Sequence, residues 1–409
     1  MIGLRNRILC SLPVVVCSLH PAAAAKAQYS QQTKLVGTGA LGPAVQGLSV
    51  SLSGDGNTAI VGGPQDNVQP NIGFGAGAAW VYTRSDGVWT QEAKLVGTGA
   101  RGPAQQGVSV SLSGDGNTVI VGGNRDNRSA GAAWVYTRSD GREWKQQTKL
   151  VGTGARGPAQ QGVSVSLSGD GNTAIVGGSL DNPQPNGLGL GAAWVFTRSR
   201  RWWTQQTKWT QQTKLVGSRA LGAAAQGSSV SLSDDGNTAI VGGPLDNNLN
   251  FAGPAGAAWV FTRSDGVWTQ QTKLVGTGAL GPAGAGQGAS VSLSGDGNTA
   301  IVGGPKDNDQ PGAFPAGAAW VFGKPVFGGT PRKANCYGQS VSALAKHYDG
   351  LNNAAAALGF DSVGVLQDGC SGILRGVEDI LRGSPLHSGR DWAGYRAIGD
   401  DRSSSDGSR

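Results

Sequence analysis

Five copies of a segment of about sixty residues make up most of this chain, and that repetition limits the fold to architectures built from equivalent units. Each copy starts at a KLVG tetrapeptide, and the starts are 60, 55, 65 and 59 residues apart. A segment similar to SVSLSGDGNTAIVGG and a GAAWV segment follow in every copy. The KLVG lysines are Lys34, Lys94, Lys149, Lys214 and Lys273. The fold is therefore decided by what one unit forms and how the units pack.

Each unit has the pattern of four β-strands. SVSLS alternates polar and apolar residues, with Val50 and Leu52 on one face, which is the period of a strand. The GDGN sequence predicts a turn into the β-branched run TAIVGG. GAAWVYTR predicts a third strand, and a Ser-Asp-Gly turn leads to a fourth, WTQEAKLV. No helix-period segment occurs in the repeats, so the pattern favours a four-stranded antiparallel sheet.

Four antiparallel strands repeated along a chain predict an all-β fold, a β-propeller with five blades over residues 28–325. A single sheet would leave both faces in water, whereas stacked blades bury Trp80, Val81 and Ile60 against a neighbour. The alternative is a β-solenoid, with parallel strands and coils of roughly 20–30 residues. A unit of this length with two hairpins fits a propeller better.

The repeat resembles a known family. SGDGNTAIVGG, GAAWVFTRS and WTQQTKL are similar to FG-GAP repeats, the propeller units also found in integrin alpha chains and in many secreted bacterial proteins. The resemblance covers residues 28–325 and implies a propeller, which in that family usually has seven blades. Five units are present here.

The same resemblance implies calcium binding in the first hairpin of a blade, through a loop with several Asp or Asn residues. Here that loop keeps only Asp55 and Asn57, between glycines. Calcium takes six or more oxygen ligands, so we expect a structural turn and no required cofactor, with calcium as the alternative. The candidate metal ligands are Asp55, Asp115, Asp170, Asp235 and Asp296.

The N-terminal residues 1–27 have the pattern of a signal peptide. Arg5 and Arg7 precede an apolar stretch over residues 8–19, and Ala25-Lys26-Ala27 fits a cleavage site. The apolar stretch is too short to span a bilayer, so we expect a secreted, periplasmic or cell-surface protein without a transmembrane segment in the mature chain. In an oxidising compartment, Cys336 and Cys370 are expected to pair.

The chain changes in character after the repeats. Residues 340–347 and 351–358 predict two short helices in a tail module over 326–382, and residues 383–409 have a disordered composition. The stretch around ANCYGQSVSALAKHYDGLNNAAAALGF resembles a small tail module of secreted bacterial proteins. In that module a late cysteine pairs with the cysteine of the ANC segment, which implies the Cys336–Cys370 disulfide.

The repeats offer few groups for catalysis. Residues 28–330 contain no His and no Cys, which excludes Ser-His-Asp or Cys-His nucleophiles and His or Cys metal sites there. Glu92 and Glu143 fall in outer strands, and the Asp residues recur equivalently in every unit. We therefore expect a protein that is not an enzyme, with a polysaccharide-acting hydrolase or lyase as a less favoured alternative.

The loops between the second and third strands break the repetition. Each starts with an Asp-Asn pair and then varies in length and composition, so we predict the ligand-binding face there. The alternative is that the pairs form Asx turns and that the divergence is drift. The candidate ligand-binding residues are Asp66, Asn67, Asp126, Asn127, Asp181, Asn182, Asp246, Asn247, Asp307 and Asn308.

These features predict a binding or adhesion scaffold for a protein or glycan ligand. A carbohydrate-binding lectin is the alternative, and Phe74, Phe251 and Phe314 are its candidate sugar-stacking residues. The net charge is +7. The KLVG lysines and the recurring third-strand arginines predict either a basic rim for acidic polysaccharide or charged protection of exposed strand edges, which we favour. Clustered basic runs are missing, so nucleic acid is not expected. The arginines are Arg84, Arg138, Arg198 and Arg263.

Counting strands predicts how the ring closes. Residues 29–36 match a fourth strand with no blade of their own before them, and the fifth unit lacks a fourth strand after residue 322. Pairing residues 29–36 with residues 317–322 would complete five blades and remove an open sheet edge.

Overall fold

The structure is a computed structural model that describes residues 29–69, 71, 73–139, 143–200, 207–247, 253–280, 284–308, 315–324 and 351–353. The predicted signal peptide, the two cysteines that are expected to pair and residues 383–409 lie outside these ranges. Of the predicted tail helices, only residues 351–353 are described, and they are helical. Within the described ranges, no helix has the length and apolarity needed to cross a membrane.

The described repeats form five antiparallel sheets in succession, which confirms the prediction of an all-β, five-bladed propeller. The sheet orders are β1-β2-β3-β4, β5-β6-β7-β8, β9-β10-β11-β12, β13-β14-β15-β16 and β17-β18-β19. In chain order the strands are β1 (Ser49–Leu52), β2 (Thr58–Gly63), β3 (Ala78–Ser85), β4 (Val88–Leu95), β5 (Ser109–Leu112), β6 (Thr118–Gly123), β7 (Ala132–Thr137), β8 (Lys145–Leu150), β9 (Ser164–Leu167), β10 (Thr173–Gly178), β11 (Ala192–Arg200), β12 (Thr207–Leu215), β13 (Ser229–Leu232), β14 (Thr238–Gly243), β15 (Ala257–Ser264), β16 (Val267–Leu274), β17 (Ser290–Leu293), β18 (Thr299–Gly304) and β19 (Ala318–Gly323).

The hairpins form where the sequence supplies residues that accept positive φ. The β3–β4 turn has Asp86 at φ 51° and Gly87 at φ 78°, the left-handed pair that matches the twist of a two-residue hairpin. The turn between β1 and β2 places Gly56 at φ 68°. Both turns follow from the Asp-Gly spacing alone.

The core lies between blades, where two different faces meet. One face, the Trp face, carries Trp80, Val61 and their equivalents; the other, the Ile face, carries Ile60, Val81 and their equivalents. The Ile face of the first blade packs on the Trp face of the second, around the buried Trp134. The same pairing recurs between later blades. Alternation along each strand therefore gives every blade two unlike apolar faces.

A glutamine clamp fixes the position of each tryptophan. In the third blade, the Gln161 side chain accepts a hydrogen bond from the Gly152 amide at 2.6 Å and donates one to the Gly152 carbonyl at 2.9 Å. The Trp194 indole N–H donates to the Thr153 carbonyl at 2.8 Å. A side chain on Gly152 would lie 2.3 Å from the Trp194 ring, so only glycine fits. The KLVG glycine is thus required by packing.

The predicted ring closure is wrong. The last sheet has three strands, β17-β18-β19, and residues 29–36 form no strand with β19. Four copies of one blade-to-blade interface do not bring the Ile face of the fifth blade back to the Trp face of the first. The physical reason is that the angle between blades is set by that interface and not by the number of strands available.

Side-chain exposure shows both open ends. Val50 on the Trp face of the first blade is 67% exposed, whereas its equivalent Val110 is 8% exposed. Val321 on the Ile face of the fifth blade is 68% exposed, whereas its equivalent Val135 is fully buried. The two ends of the stack therefore present the two halves of an interface that is otherwise buried.

We expect Gln161→Ala to lower the free energy of unfolding by about 2–4 kcal/mol, because it leaves a buried N–H and a buried C=O of Gly152 without partners. Urea denaturation would measure the loss. Gln271→Ala, at an exposed position on an outer strand, is the matched control and should change stability by less than about 0.5 kcal/mol. Equal losses in the two variants would contradict a specific role for the clamp.

Candidate ligand-binding face

The loops between second and third strands meet the linkers between blades on one face of the propeller. In the first blade the Asn67 amide donates to the Leu41 carbonyl at 2.9 Å. Gly77 forms a parallel bridge with Gln106 of the next linker. We call this surface, formed by residues 64–77, the linker 96–108 and their equivalents, the loop face. It is the face that the divergent loops predicted for ligand binding.

A buried ion pair, the Asp–Lys clasp, lies at the start of the loop in each of the first four blades. Asp66 is 2% exposed, and its Oδ1 accepts a hydrogen bond from the Leu41 amide at 2.8 Å. Its Oδ2 lies 2.7 Å from Nζ of Lys94 on the outer strand of the same blade. The ammonium also sits over the Trp80 ring, 5.4 Å from its centroid. The equivalent pairs are Asp126–Lys149, Asp181–Lys214 and Asp246–Lys273.

The clasp gives the predicted ligand-binding aspartates a structural environment. Both oxygens of each clasped carboxylate already have partners, and the group is buried. Direct contact of these aspartates with a ligand stays a prediction, but their observed role is to tie the loop to the linker and the outer strand. Four of the five KLVG lysines lie in these clasps, neither on a free rim nor at a bare strand edge; Lys34 is exposed.

The paired asparagines shape the loop. Asn67 is in the left-handed region at φ 54°, and Asn127, Asn182, Asn247 and Asn308 have φ of 48°, 52°, 60° and 55°. Asparagine tolerates that conformation better than most residues. In the second blade, Arg128 continues the turn at φ 58°. The Asp-Asn pairs therefore reverse the chain, and the side chains beyond them vary between blades.

The loop face exposes arginines on three successive blades. Arg101, Arg156 and Arg219 are exposed, and they belong to the linkers that the clasps hold. The amides of Arg101 and Arg156 donate to Asp126 and Asp181 at 2.7 and 2.8 Å, so their backbones are fixed while their side chains face water. No sequence argument singled out these arginines. A regular spacing was available as a signal for two of them, since Arg101 and Arg156 each lie 25 residues before a clasp aspartate; the Arg219 carbonyl accepts a hydrogen bond from the clasp lysine Lys273 at 2.8 Å.

One aromatic of the loop face is described. Phe74 is half-buried, and the Arg125 guanidinium lies over its ring at 3.6 Å from the centroid. Phe251 and Phe314, the other two candidate sugar-stacking residues, lie outside the described residues. The exposed arginines and this stacked pair are the chemistry that the described loop face offers to a ligand.

The candidate metal ligands lie on the opposite face, in the turns between first and second strands. Asp55 Oδ1 accepts hydrogen bonds from the Ser53 hydroxyl at 2.5 Å and the Asn57 amide at 2.9 Å, and Oδ2 accepts from the Asn57 side chain at 3.0 Å. The Ser53 hydroxyl, followed by the Asn57 amide, lowers the pKa of Asp55 to about 2. Across the described ranges, no three His, Cys, Asp or Glu residues cluster as a metal site would require.

The third-strand arginines link neighbouring blades on this opposite face. Arg138 donates to Asn117 of its own blade at 3.2 Å and to Thr58 of the preceding blade at 3.0 Å, and its guanidinium lies over Trp144. It also forms an ion pair with Glu92. A polar cleft of about 800 Å³ lies between the second and third blades, lined in part by Arg138 and Arg198. These arginines are engaged in packing, so they do not form a free basic rim.

The fold and its repeated clasps define a β-propeller built from equivalent blades. The family model of the FG-GAP repeat matches residues 89–136, 144–196 and 209–261. Each matched segment runs from the outer strand of one blade to the third strand of the next. Over these three segments of its five-bladed fold, the chain is similar to FG-GAP repeats.

More distant comparisons add little. No curated protein matches the chain. Among solved structures, one described as Kuenenia stuttgartiensis hydrazine synthase is similar over 73% of this chain and 67% of that chain, with 15% sequence identity and a TM-score of 0.42. A likeness at that level bears on neither activity nor ligand.

The clasp between Asp181 and Lys214 predicts that Asp181 stabilises the folded protein. We expect Asp181→Asn to lower the free energy of unfolding by about 1–3 kcal/mol, because it removes the charge that pairs with Lys214 while keeping the side-chain size. Thermal and urea unfolding would measure the change. Asp265→Asn, in an exposed turn with φ 50°, is the matched control and should have little effect, since asparagine accepts that conformation. An unchanged Asp181→Asn protein would contradict a structural role for the clasp.

We expect millimolar calcium to leave the melting temperature unchanged, because both oxygens of Asp55 and its equivalents already accept hydrogen bonds within the turn. A bound ion would raise stability by mass action. Melting in excess calcium and in excess chelator would test this. A shift of several degrees that is abolished by alanine substitution of Asp55 and its equivalents would show that the turns bind the ion.

Proposed function

We propose that this propeller is an exported binding scaffold whose loop face holds an anionic ligand, with an acidic polysaccharide as the ligand class. The observation that carries the proposal is the contrast in charge on that face. Four of the loop aspartates are buried and neutralised by lysine, while Arg101, Arg156 and Arg219 beside them are exposed. The face therefore offers positive charge that is not balanced by its own carboxylates.

The spacing of the arginines also favours an extended ligand. Arg101 and Arg156 occupy equivalent positions on the second and third blades, and Arg219 lies two residues before that position on the fourth, all on linkers that the clasps fix in place. A repeating polymer with regularly spaced carboxylates or sulfates can contact several of them at once, and guanidinium groups bind such anions through paired hydrogen bonds. A rigid backbone under each arginine reduces the ordering cost of binding.

The second candidate is a lectin for neutral glycans, which need open aromatic platforms. The Phe74 ring is covered by the Arg125 guanidinium, which favours an anionic ligand over a neutral sugar at this point. An acidic sugar would contact both residues, with its carboxylate on Arg125 and its ring beside Phe74. Binding of a neutral glucan with equal strength would support the lectin.

A binding role is proposed in place of catalysis because the recurring carboxylates have structural tasks. Asp66 and its equivalents hold the loops, and Asp55 and its equivalents close the opposite turns. Export is part of the proposal, supported by the signal-peptide pattern of residues 1–27, and would bring the loop face to extracellular polymers. Adhesion to a cell surface or matrix is the biological setting that this proposal implies.

We expect the double variant Arg101→Ala/Arg156→Ala to weaken binding of polygalacturonate by about tenfold or more, since it removes two exposed charges from the loop face. Lys145→Ala/Lys208→Ala removes the same charge from exposed outer-strand positions near the opposite face and is the matched control. Isothermal titration at several salt concentrations would measure both. Equal weakening in the two variants would show that net charge, and not the loop face, determines binding. Absence of binding by the unaltered protein would overturn the proposed ligand class.

A further inference from the structure

The two open ends of the blade stack are complementary to each other. Each internal interface joins an Ile face to a Trp face, and one of each is left over. The exposed Trp face carries Val50 and Leu52; the exposed Ile face carries Ile301 and Val321. Their equivalents within the stack bury one another. A surface that fits either end is therefore present on every copy of this chain, at the other end.

Residues 29–37 lie against the Trp face of the first blade, where the outer strand of a preceding blade would lie. Gln32 accepts hydrogen bonds from Arg84 and Trp89, both at 3.2 Å. Gln212, on outer strand β12, accepts the equivalent bonds from Arg263 and Trp268 at 2.9 and 3.1 Å. Leu35 packs on the first Trp face as Leu95 packs on the second. The segment thus lies as the fourth strand of a preceding blade would.

Within the part of the chain that the structure describes, the fifth blade lacks the partners that such a strand supplies. Asp307 is 8% exposed and its Oδ1 accepts the Leu280 amide at 2.8 Å, as in every clasp, yet it forms no ion pair with another described residue. A pocket of about 310 Å³, lined by Val260, Leu274 and Phe322, lies beside β19. At the corresponding place in the second blade, Trp144, the residue before outer strand β8, is buried against the preceding blade. Among the described residues, none supplies the lysine and the aromatic at these two places of the fifth blade.

Segment 29–36 carries both missing groups at the right spacing. Aligned on the KLV sequence, Lys34 corresponds to the clasp lysine Lys149, and Tyr29 corresponds to Trp144. Both Lys34 and Tyr29 are exposed. The same alignment puts Gln31 at the position of Gln146, which accepts a hydrogen bond from the Thr98 amide at 2.7 Å. A single strand in this register would place Tyr29 in the pocket and Lys34 next to Asp307.

We propose that copies of this protein associate head to tail, and that residues 29–36 of one copy form the outer strand of the fifth blade of the next. Lys34 then completes the clasp with Asp307 of the second copy, and Tyr29 fills the pocket beside Phe322. The Ile face around Val321 buries against the Trp face around Val50. The contact is heterologous, since it joins two different surfaces, so it propagates from copy to copy.

A second copy is favoured over the same chain because the segment needs no rearrangement. Residues 31–37 stay on their own first blade, and the incoming β19 pairs with the free edge of that segment. Within one chain, segment 29–36 is bound to the first blade through Gln32, and the Ile face of the fifth blade is still exposed. An exposed strand edge beside an apolar face is a strong site for pairing with another chain.

Single-face variants test the proposal. Val50→Asp disables the Trp-face end and Val321→Asp disables the Ile-face end, and both sites are exposed in a single chain, so circular dichroism and melting should be unchanged. By sedimentation velocity, the full-length protein should form concentration-dependent oligomers of the 41.4 kDa chain. Each variant alone should be monomeric, and their mixture should form a 1:1 dimer and nothing larger.

Other results of this experiment overturn the proposal. A monomeric unaltered protein, with no dimer in the mixture, would indicate closure within one chain. A dimer formed by one variant alone would indicate a contact between like faces. A mixture that stays monomeric while the unaltered protein is oligomeric would place the contact elsewhere.

Lys34→Ala tests the strand within the mixed dimer. In the Val321→Asp chain, which supplies segment 29–36, it should weaken the dimer by about tenfold or more, because Asp307 of the other chain is left buried and unpaired. In the Val50→Asp chain, the same substitution lies away from the contact and should have no effect, which makes it the matched control. Equal effects in both chains would exclude the proposed strand pairing.

Discussion

Every blade-to-blade interface depends on the absence of a side chain at the KLVG glycine. A Cβ on Gly97 would lie 2.3 Å from the Trp134 ring, so the indole lies flat against the backbone only because the residue is glycine. The buried N–H and C=O of that glycine form hydrogen bonds with the Gln106 side chain, at 2.5 and 3.0 Å. Close packing and hydrogen-bond satisfaction thus come from the same contact, and interiors packed in this way deform little.

A stiff interface repeated without change has a consequence for the whole molecule. Each blade is related to the next by the same contacts, so the curvature of the stack is a property of one interface and not of the chain length. The backbone links between the β1–β2 turns show the same regularity, since Gly54 donates to Gly114 and Gly114 to Gly169, at 2.9 and 2.8 Å. Five blades with this geometry end in two unlike apolar faces, and any solution to their exposure must join an Ile face to a Trp face.

Sequence patterns predicted the strands and turns well, but they did not predict which side chains contact each other in the fold. The alternation of Val50 and Leu52 and the Asp-Gly turns gave the strands, because both signals are local. The task of Asp66 was not predictable in this way, since its partners Leu41 and Lys94 are 25 residues before and 28 residues after it and meet only in the folded blade. The recurrence of one Asp and one Lys in each unit was the available signal. Strand counting predicted a spare strand and a missing one, but where they meet depends on the angle between blades.

The proposed assembly and the proposed ligand use separate surfaces, and the separation has a physical benefit. Arg101, Arg156 and Arg219 lie on the three middle blades, whereas Val50 and Val321 lie on the outer faces of the first and last. Head-to-tail growth would therefore repeat the basic loop face along the assembly without covering it. For a polymeric anion, several weak contacts on linked copies raise the effective concentration of each, so avidity can exceed the affinity of one propeller without any new contact. A single copy needs only modest affinity, which fits a face with a few exposed arginines and no deep described pocket among them.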